Sequence, residues 1–191
     1  RSALRVSELG GMVLNAKEGV EVGTDVIWQY TEAFKTPMLF VVNQLDKEGA
    51  DFDKTVKEAK AHFGEKVVAV QYPLLVGERF NAIIDILNMV MYQFKPDGGK
   101  PEKLPIPDAE KAKAEQLHKD LVETIASNDE GLMEKFFELG ELSEEDMKIG
   151  LHQSMINHDI FPLFCTSAEK NMGSGRIMGF IDVVCPSANE M

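Results

Sequence analysis

The stretch Met38-Leu39-Phe40-Val41-Val42-Asn43-Gln44-Leu45-Asp46 decides the fold class of this 191-residue chain. Residues 38–42 are all apolar, which is typical of a strand buried on both faces of a parallel sheet. A polar segment follows at once. Open α/β sheets bind ligands at the carboxyl ends of their strands, so this polar segment is a candidate site.

Alternating strand and helix patterns surround this stretch. Apolar runs at residues 12–14 and 67–70 predict two more strands. Between the first two strands a helix is predicted over residues 24–35, with Thr24 as its N-cap. Its inward residues are expected to be Val26, Ile27, Tyr30 and Phe34. The next helix carries Phe52, Val56, Ala59 and Phe63 at helical spacing. The region therefore reads as α/β.

From residue 73 to residue 159 the pattern changes to a mixture of extended segments and helices. Residues 80–94 read as extended, and residues 95–107 as a loop rich in Pro, Gly and Lys. Three helices are predicted after that loop, with N-caps at Asp108, Ser127 and Ser143.

The α/β pattern resumes with an apolar strand at residues 160–165 and a helix at residues 174–185. Ile177, Met178 and Ile181 are expected to face inward on that helix. We therefore expect one α/β domain, made of residues 1–72 and 160–191, interrupted by an acidic α+β insertion at residues 73–159.

Composition limits the classes of function. With 44% hydrophobic residues the chain can bury a core, and no apolar run approaches the roughly 20 residues that span a bilayer. The net charge is −12, and residues 97–159 contain 16 acidic and 7 basic side chains. A protein that grips nucleic-acid phosphates over its whole surface would be basic. Cys165 and Cys185 are interpreted as buried, reduced thiols, with no spacing typical of a zinc site.

Two polar segments contain the candidate ligand-binding residues. Asn43 and Asp46 follow one predicted strand, and Thr166-Ser167-Ala168 follows another. Guanine presents acceptors at N7 and O6 and donors at N1 and N2. An Asn amide can meet the acceptor edge, a carboxylate can take both donors, and a backbone N–H can meet O6. The alternative is that these residues only shape polar turns.

The segment Val41-Val42-Asn43-Gln44-Leu45-Asp46-Lys47-Glu48-Gly49-Ala50-Asp51-Phe52 resembles the guanine-recognition segment of the elongation factor G family of translational GTPases. The resemblance continues along the chain in order. Arg1-Ser2-Ala3-Leu4-Arg5-Val6 is similar to the helix after switch II, and Lys17-Glu18-Gly19-Val20-Glu21-Val22-Gly23-Thr24 to a following loop. Phe80-Asn81-Ala82-Ile83-Ile84-Asp85 and Leu132-Met133-Glu134-Lys135 resemble the inserted G′ subdomain. Thr166-Ser167-Ala168-Glu169-Lys170-Asn171-Met172-Gly173 resembles the last nucleotide-binding loop.

This resemblance implies a P-loop GTPase-type parallel sheet whose N-terminal strands are missing here. It implies that Asn43 and Asp46 read the guanine base of GTP or GDP, supported by Ser167 and by the main-chain N–H of Ala168. Gln44 stands where the family has Lys, and its loss of charge could cost roughly 1 kcal/mol. Glu8-Leu9-Gly10-Gly11 also departs from the family's Asp-Gly-Ala pattern, which favours a paralogue.

No G-x-x-x-x-G-K-[S/T] motif occurs in the 191 residues. The Mg²⁺ ligands and the Asp-Thr-Pro-Gly-His segment of the family are missing too. We therefore expect the parent protein to be a GTPase and this chain alone to be inactive. Residues 12–14 would then form an unpaired strand edge, so the isolated chain is expected to dimerise there or to fold its N-terminal segment over that edge.

The resemblance also implies partners: the ribosome, and the ribosomal stalk protein through the acidic insertion. The candidate contact residues are Glu123, Asp129, Glu130 and Glu134. A cytoplasmic protein without a membrane partner is expected. The parent would act in translocation, recycling or ribosomal protection. Two alternatives remain: a ribosome-binding paralogue with weak or lost GTPase activity, and an unrelated flavodoxin-like or hydrolase domain, for which no phosphate or nucleophile loop is found.

Overall fold

The computed structural model describes Leu4 and residues 6–187. Four parallel strands form sheet A, in the order β1-β2-β8-β3. They are β1 (Gly10–Asn15), β2 (Met38–Asn43), β3 (Val67–Ala69) and β8 (Phe161–Cys165). Three helices belong to this part: α1 (Val22–Phe34), α2 (Phe52–Phe63) and α6 (Ser174–Val184). The predicted α/β class is confirmed, and most of the predicted helix at residues 1–6 lies outside the described residues.

Between β3 and β8 the chain builds a second, antiparallel sheet B with three helices. Its strands, in order, are β4 (Gln71–Pro73), β5 (Ala82–Asp85), β6 (Val90–Gln93) and β7 (Glu102–Leu104). The helices are α3 (Asp108–Ala126), α4 (Glu130–Leu139) and α5 (Glu144–Ile156). An α+β portion therefore lies between β3 and β8 in the sequence, and the exact domain boundaries at residues 72/73 and 159/160 stay a prediction.

A single residue joins the two sheets. Val70 donates its N–H to the Leu163 carbonyl of β8 at 3.0 Å, and its own carbonyl accepts from the Ile86 N–H at 3.2 Å, just past β5. The chain thus passes from sheet A into sheet B without a flexible connection, because both neighbouring peptide groups are bonded.

Aromatic rings fill the core between α1, α2 and sheet A. The Trp28 ring centroid lies 4.9 Å from that of Phe63 and 5.1 Å from that of Phe161, and Phe40 completes the cluster. Trp28 is half-buried and packs against this core.

Several local predictions are wrong. α1 begins two residues before Thr24, and Val26 and Ile27 are each 48% exposed, because Trp28 and Thr31 occupy the inward face. On α6, Met178 is exposed and Phe180 is buried instead. Helical spacing identified these helices but not their rotation, since each carries apolar residues on more than one face.

Helix starts in the acidic part also differ from the sequence prediction. Asp129, not Ser127, caps α4: its carboxylate accepts the Leu132 N–H at 2.9 Å. α3 starts at Asp108, but its N-cap is Pro107, without a side-chain bond. Ser143 caps α5 as predicted. The strand β7 lies inside the segment predicted as loop, where Pro and Gly on both sides mask a three-residue strand.

His158 is a buried histidine. It is 5% exposed, lies in the turn between α5 and β8 and packs edge-on against the Phe161 ring. Burial lowers the pKa of His158, against an opposing backbone contact with Thr36. Thr36 comes from a distant part of the chain, so the local sequence does not reveal this contact.

Two glycines in helices allow a matched test of the packing. A Cβ on Gly150 of α5 would collide with Ile125 Cγ2 of α3 and lie 2.7 Å from Leu132 Cδ1 of α4, whereas a Cβ on Gly179 of α6 meets nothing within 4 Å. Gly150→Ala should lower the free energy of unfolding by about 1–3 kcal/mol through overpacking. Gly179→Ala should raise it by about 0.5–1 kcal/mol, because alanine favours helix. Urea denaturation measures both, and equal shifts would contradict the close packing at Gly150.

Candidate functional site

The two polar segments singled out from the sequence lie side by side at the carboxyl edge of sheet A. Their strands, β2 and β8, are parallel neighbours with Val42 opposite Cys165. The Thr166 N–H donates to the Val42 carbonyl at 2.9 Å, and the Leu45 N–H reaches the Thr166 carbonyl at 3.4 Å. The backbone itself therefore ties the loop at residues 43–49 to the loop at residues 166–173.

Asn43 and Ala168 are in direct contact. The Ala168 N–H donates to Asn43 Oδ1 at 3.0 Å, across 125 residues of sequence. This bond fixes which side of the Asn43 amide accepts and leaves Nδ2 as its donating side. A ligand that uses the Ala168 N–H has to share it with Asn43 or replace that bond.

Asp46 is a buried carboxylate at the base of this pair of loops. Its residue surface is 5% exposed, and its Oδ2 lies 3.6 Å from Lys47 Nζ and 3.9 Å from Lys170 Nζ. Burial on its own would raise the pKa of Asp46, but a hydrogen bond with Ser167 and the two ammonium groups hold that pKa below its ordinary value. Asp46 is therefore ionised at neutral pH.

The second oxygen of Asp46 is incompletely satisfied. Oδ1 is buried and has no hydrogen-bond partner among the described residues. Leaving a buried acceptor unpaired costs about 1–3 kcal/mol, more for a charged group, so such atoms need an explanation. A donor supplied by a ligand would remove that cost, once the residues that cover Oδ1 move aside to admit it.

Ser167 and its neighbours make the second loop rigid. Ser167 is fully buried and exchanges both backbone hydrogen bonds with Met172, each at 2.9 Å. Thr166 Oγ1 donates to the Met172 carbonyl at 2.7 Å, and Ser167 Oγ accepts the Lys170 N–H at 3.3 Å. These four bonds hold the backbone that presents the Ala168 N–H.

Gln44 adopts a left-handed backbone conformation, with φ of 65°. Its Oε1 accepts a hydrogen bond from Asn15 Nδ2 at 3.0 Å, while Asn15 Oδ1 accepts the Lys17 N–H. Sequence reasoning missed Asn15. The available signal was its position directly after the apolar run at residues 12–14, which places it opposite Asn43 across β1 and β2.

The acidic candidates lie elsewhere, on and around α3 and α4. Glu123 is in the last turn of α3, Asp129 caps α4, and Glu130 and Glu134 follow on α4; all four are exposed. Asp129 already has a structural role through its bond to the Leu132 N–H. The four residues are close along the chain and separate from the loops at residues 43–49 and 166–173.

Within the part of the chain that the structure describes, no cluster of three or more His, Cys, Asp or Glu side chains is arranged to hold a metal ion. In the same residues no helix is both long and apolar enough to cross a membrane.

Comparison with known proteins identifies the family. Residues 1–187 match the model of the elongation factor Tu GTP binding domain. The chain is 36% identical over 188 residues to elongation factor G of Mycoplasma pneumoniae, covering 97% of this chain and 27% of that protein. A crystal structure of a protein from Thermus thermophilus superposes with a TM-score of 0.86 at 25% identity, again over 97% of this chain and 27% of the other. The chain spans about a quarter of the relatives it matches, and it belongs to the family of elongation factor Tu GTP-binding domains, with a close likeness to elongation factor G.

Proposed function

We propose that this chain supplies the guanine-recognition half of a ribosome-associated, translocation-type elongation factor GTPase. The observation that carries the proposal is the buried, ionised Asp46, whose Oδ1 lacks a partner among the described residues. Guanine N1–H and N2–H are two adjacent donors, which a carboxylate satisfies together. The likeness to elongation factor G supports the same assignment.

In this proposal the other loop residues have distinct roles. Asn43 Nδ2 donates to guanine N7, and the Ala168 N–H turns toward O6, with Ser167 holding its loop in place. Gln44 provides the stem that covers the base, and its bond to Asn15 restrains that stem. The parent protein would bind GTP or GDP with Mg²⁺, in the cytoplasm, and use residues beyond this chain for the phosphates and the metal.

The base assignment is tested by Asp46→Asn in the full-length protein. An amide donates where the carboxylate accepts, so preference should move from GTP toward XTP, whose ring has a carbonyl in place of the 2-amino group. A shift of about tenfold or more in the ratio of dissociation constants is expected. Glu48→Gln removes an exposed acid from the same loop and should leave the ratio unchanged. An unaltered ratio in Asp46→Asn would remove Asp46 from the site.

The 191 residues alone should bind GTP with a dissociation constant above about 1 μM and should not hydrolyse it, because base contacts remain without a phosphate loop in the sequence. Calorimetric titration measures this, and submicromolar binding would contradict it.

The 191 residues alone should also self-associate through β1, which is the edge strand of sheet A in the described residues. Light scattering measures the mass of the particles, and a monomer would contradict this prediction.

We propose residues 73–159 as the inserted subdomain, with its acidic surface as the docking site for the basic face of the ribosomal stalk protein. Glu130 and Glu134 are one helical turn apart on α4 and both exposed.

A ribosome-binding paralogue without GTPase activity is the second candidate, and Gln44 in place of the family's Lys favours it. Ribosome-stimulated GTP turnover in the full-length protein separates the two.

Reversing Glu130 and Glu134 to Lys in the full-length protein should slow association with the purified stalk protein roughly tenfold at low salt, and less at high salt, because charge steers encounter. Reversing Glu18 and Glu48 changes the net charge equally at exposed sites away from α4 and serves as the control. Stopped-flow kinetics over a range of salt concentrations measure the rates. Equal slowing by both double variants would indicate a general charge effect without a docking site.

A further inference from the structure

The turn between β6 and β7 contacts the loop at residues 166–173. Gly99 donates its N–H to the Asn171 carbonyl at 3.1 Å. Gly98 comes closer still: a Cβ at that position would collide with the Lys170 carbonyl oxygen and lie 3.0 Å from that of Asn171. Only a residue without a side chain permits this approach of two backbones.

Sheet B also contacts the end of this loop and the first turn of the helix that follows it. Ile83 of β5 packs against Gly173. A Cβ added to Gly173 would lie 3.0 Å from Ile83 Cδ1 and 2.7 Å from the Cys165 carbonyl oxygen. Arg176, in the first turn after the loop, donates from Nη1 to the Tyr92 hydroxyl at 3.1 Å, and its guanidinium lies 4.7 Å from the Tyr92 ring centroid. Residues of β5, of β6 and of the turn after β6 thus support one loop of sheet A.

The supported carbonyls belong to the part of the loop that sets the position of Ala168. The Asn171 N–H donates to the Ala168 carbonyl at 3.1 Å, and the Lys170 N–H donates to Ser167 Oγ. Asn171 is also in the left-handed region, with φ of 49°. A shift of the peptide groups at residues 170 and 171 therefore moves the Ala168 N–H.

We propose that the turn at residues 95–101 is a positioning element for the loop at residues 166–173, so that Gly98 controls how tightly the Ala168 N–H holds O6 of a purine nucleotide. The inference rests on the proposed function, because it assumes that Ala168 faces the base. Gly98 does not touch the nucleotide; it acts through Lys170 and Asn171.

Gly98 and Gly140 form a matched pair for the test. Both have positive φ, 72° and 77°, so an alanine strains the backbone at either position. A Cβ on Gly98 meets the loop backbone, whereas one on Gly140, at the end of α4, meets nothing within 4 Å. Comparing Gly98→Ala with Gly140→Ala therefore separates displacement of the loop from backbone strain.

Dissociation constants for GDP and IDP are measured calorimetrically on both variants of the full-length protein. Gly98→Ala should weaken both nucleotides by about tenfold, the effect of one lost hydrogen bond to the base. The GDP to IDP ratio should not change, because IDP keeps O6 and lacks only the 2-amino group that Asp46 reads. Gly140→Ala should change either constant by less than about twofold. Equal weakening by the two variants overturns the proposal.

Failure of this proposal about Gly98 can be told apart from failure of the proposed guanine recognition. Asp46→Asn changes the GDP to IDP ratio if Asp46 reads the base, whatever Gly98 does. Unfolding is checked by melting temperature, since a merely structural glycine alters stability without altering affinity in the folded protein. If Gly98→Ala does not fold, Arg176→Gln serves instead: it releases the first turn of α6, directly after the loop, from Tyr92 and should weaken GDP and IDP equally, by a smaller factor. Unchanged affinity in Arg176→Gln then overturns the proposal.

Discussion

The adjacency of β2 and β8 is the constraint on which the site depends. These strands are separated by more than a hundred residues of sequence, yet their carboxyl ends meet because the chain returns from α5 to pair in parallel with β2. Parallel neighbours present their carboxyl-end loops at the same edge of a sheet. Asn43 can therefore contact Ala168, and Ser167 can contact Asp46, only because this pairing forms.

The α+β portion is part of the architecture of that edge and not a passive addition. Gly77, in the short 3-10 turn Gly77–Arg79, donates its N–H to the Leu45 carbonyl at 2.7 Å, which holds the loop carrying Asp46. The turn between β6 and β7 holds the other loop through Asn171. Both loops are thus bonded to residues between β3 and β8, and sheet A alone would leave those carbonyls without these partners.

The sequence predicted what depends on local pattern. Apolar runs located β1, β2, β3 and β8, and the spacing of Phe52 to Phe63 located α2, because burial on both faces or on one helical face leaves a direct trace in residue order. It failed where distant residues decide the outcome. Trp28 turned α1 so that Val26 and Ile27 face outward, and Asn15 joined the site through a bond to Gln44 that no local motif encodes. The capping role of Asp129 likewise depends on where α4 begins, which the sequence placed two residues too early at Ser127.

The burial of Asp46 and the left-handed conformations of Gln44 and Asn171 have a common physical consequence. A carboxylate oxygen without a partner among the described residues and two non-glycine residues at positive φ each cost free energy, on the order of 1 kcal/mol or more. A fold tolerates such costs together only where surrounding bonds over-determine the backbone, and here those bonds come from Asn15, Ser167, Met172 and Gly99. The loops are consequently held in one shape by the fold itself. A ligand that binds at this edge then has less ordering entropy to overcome, because the chain has already been ordered by folding.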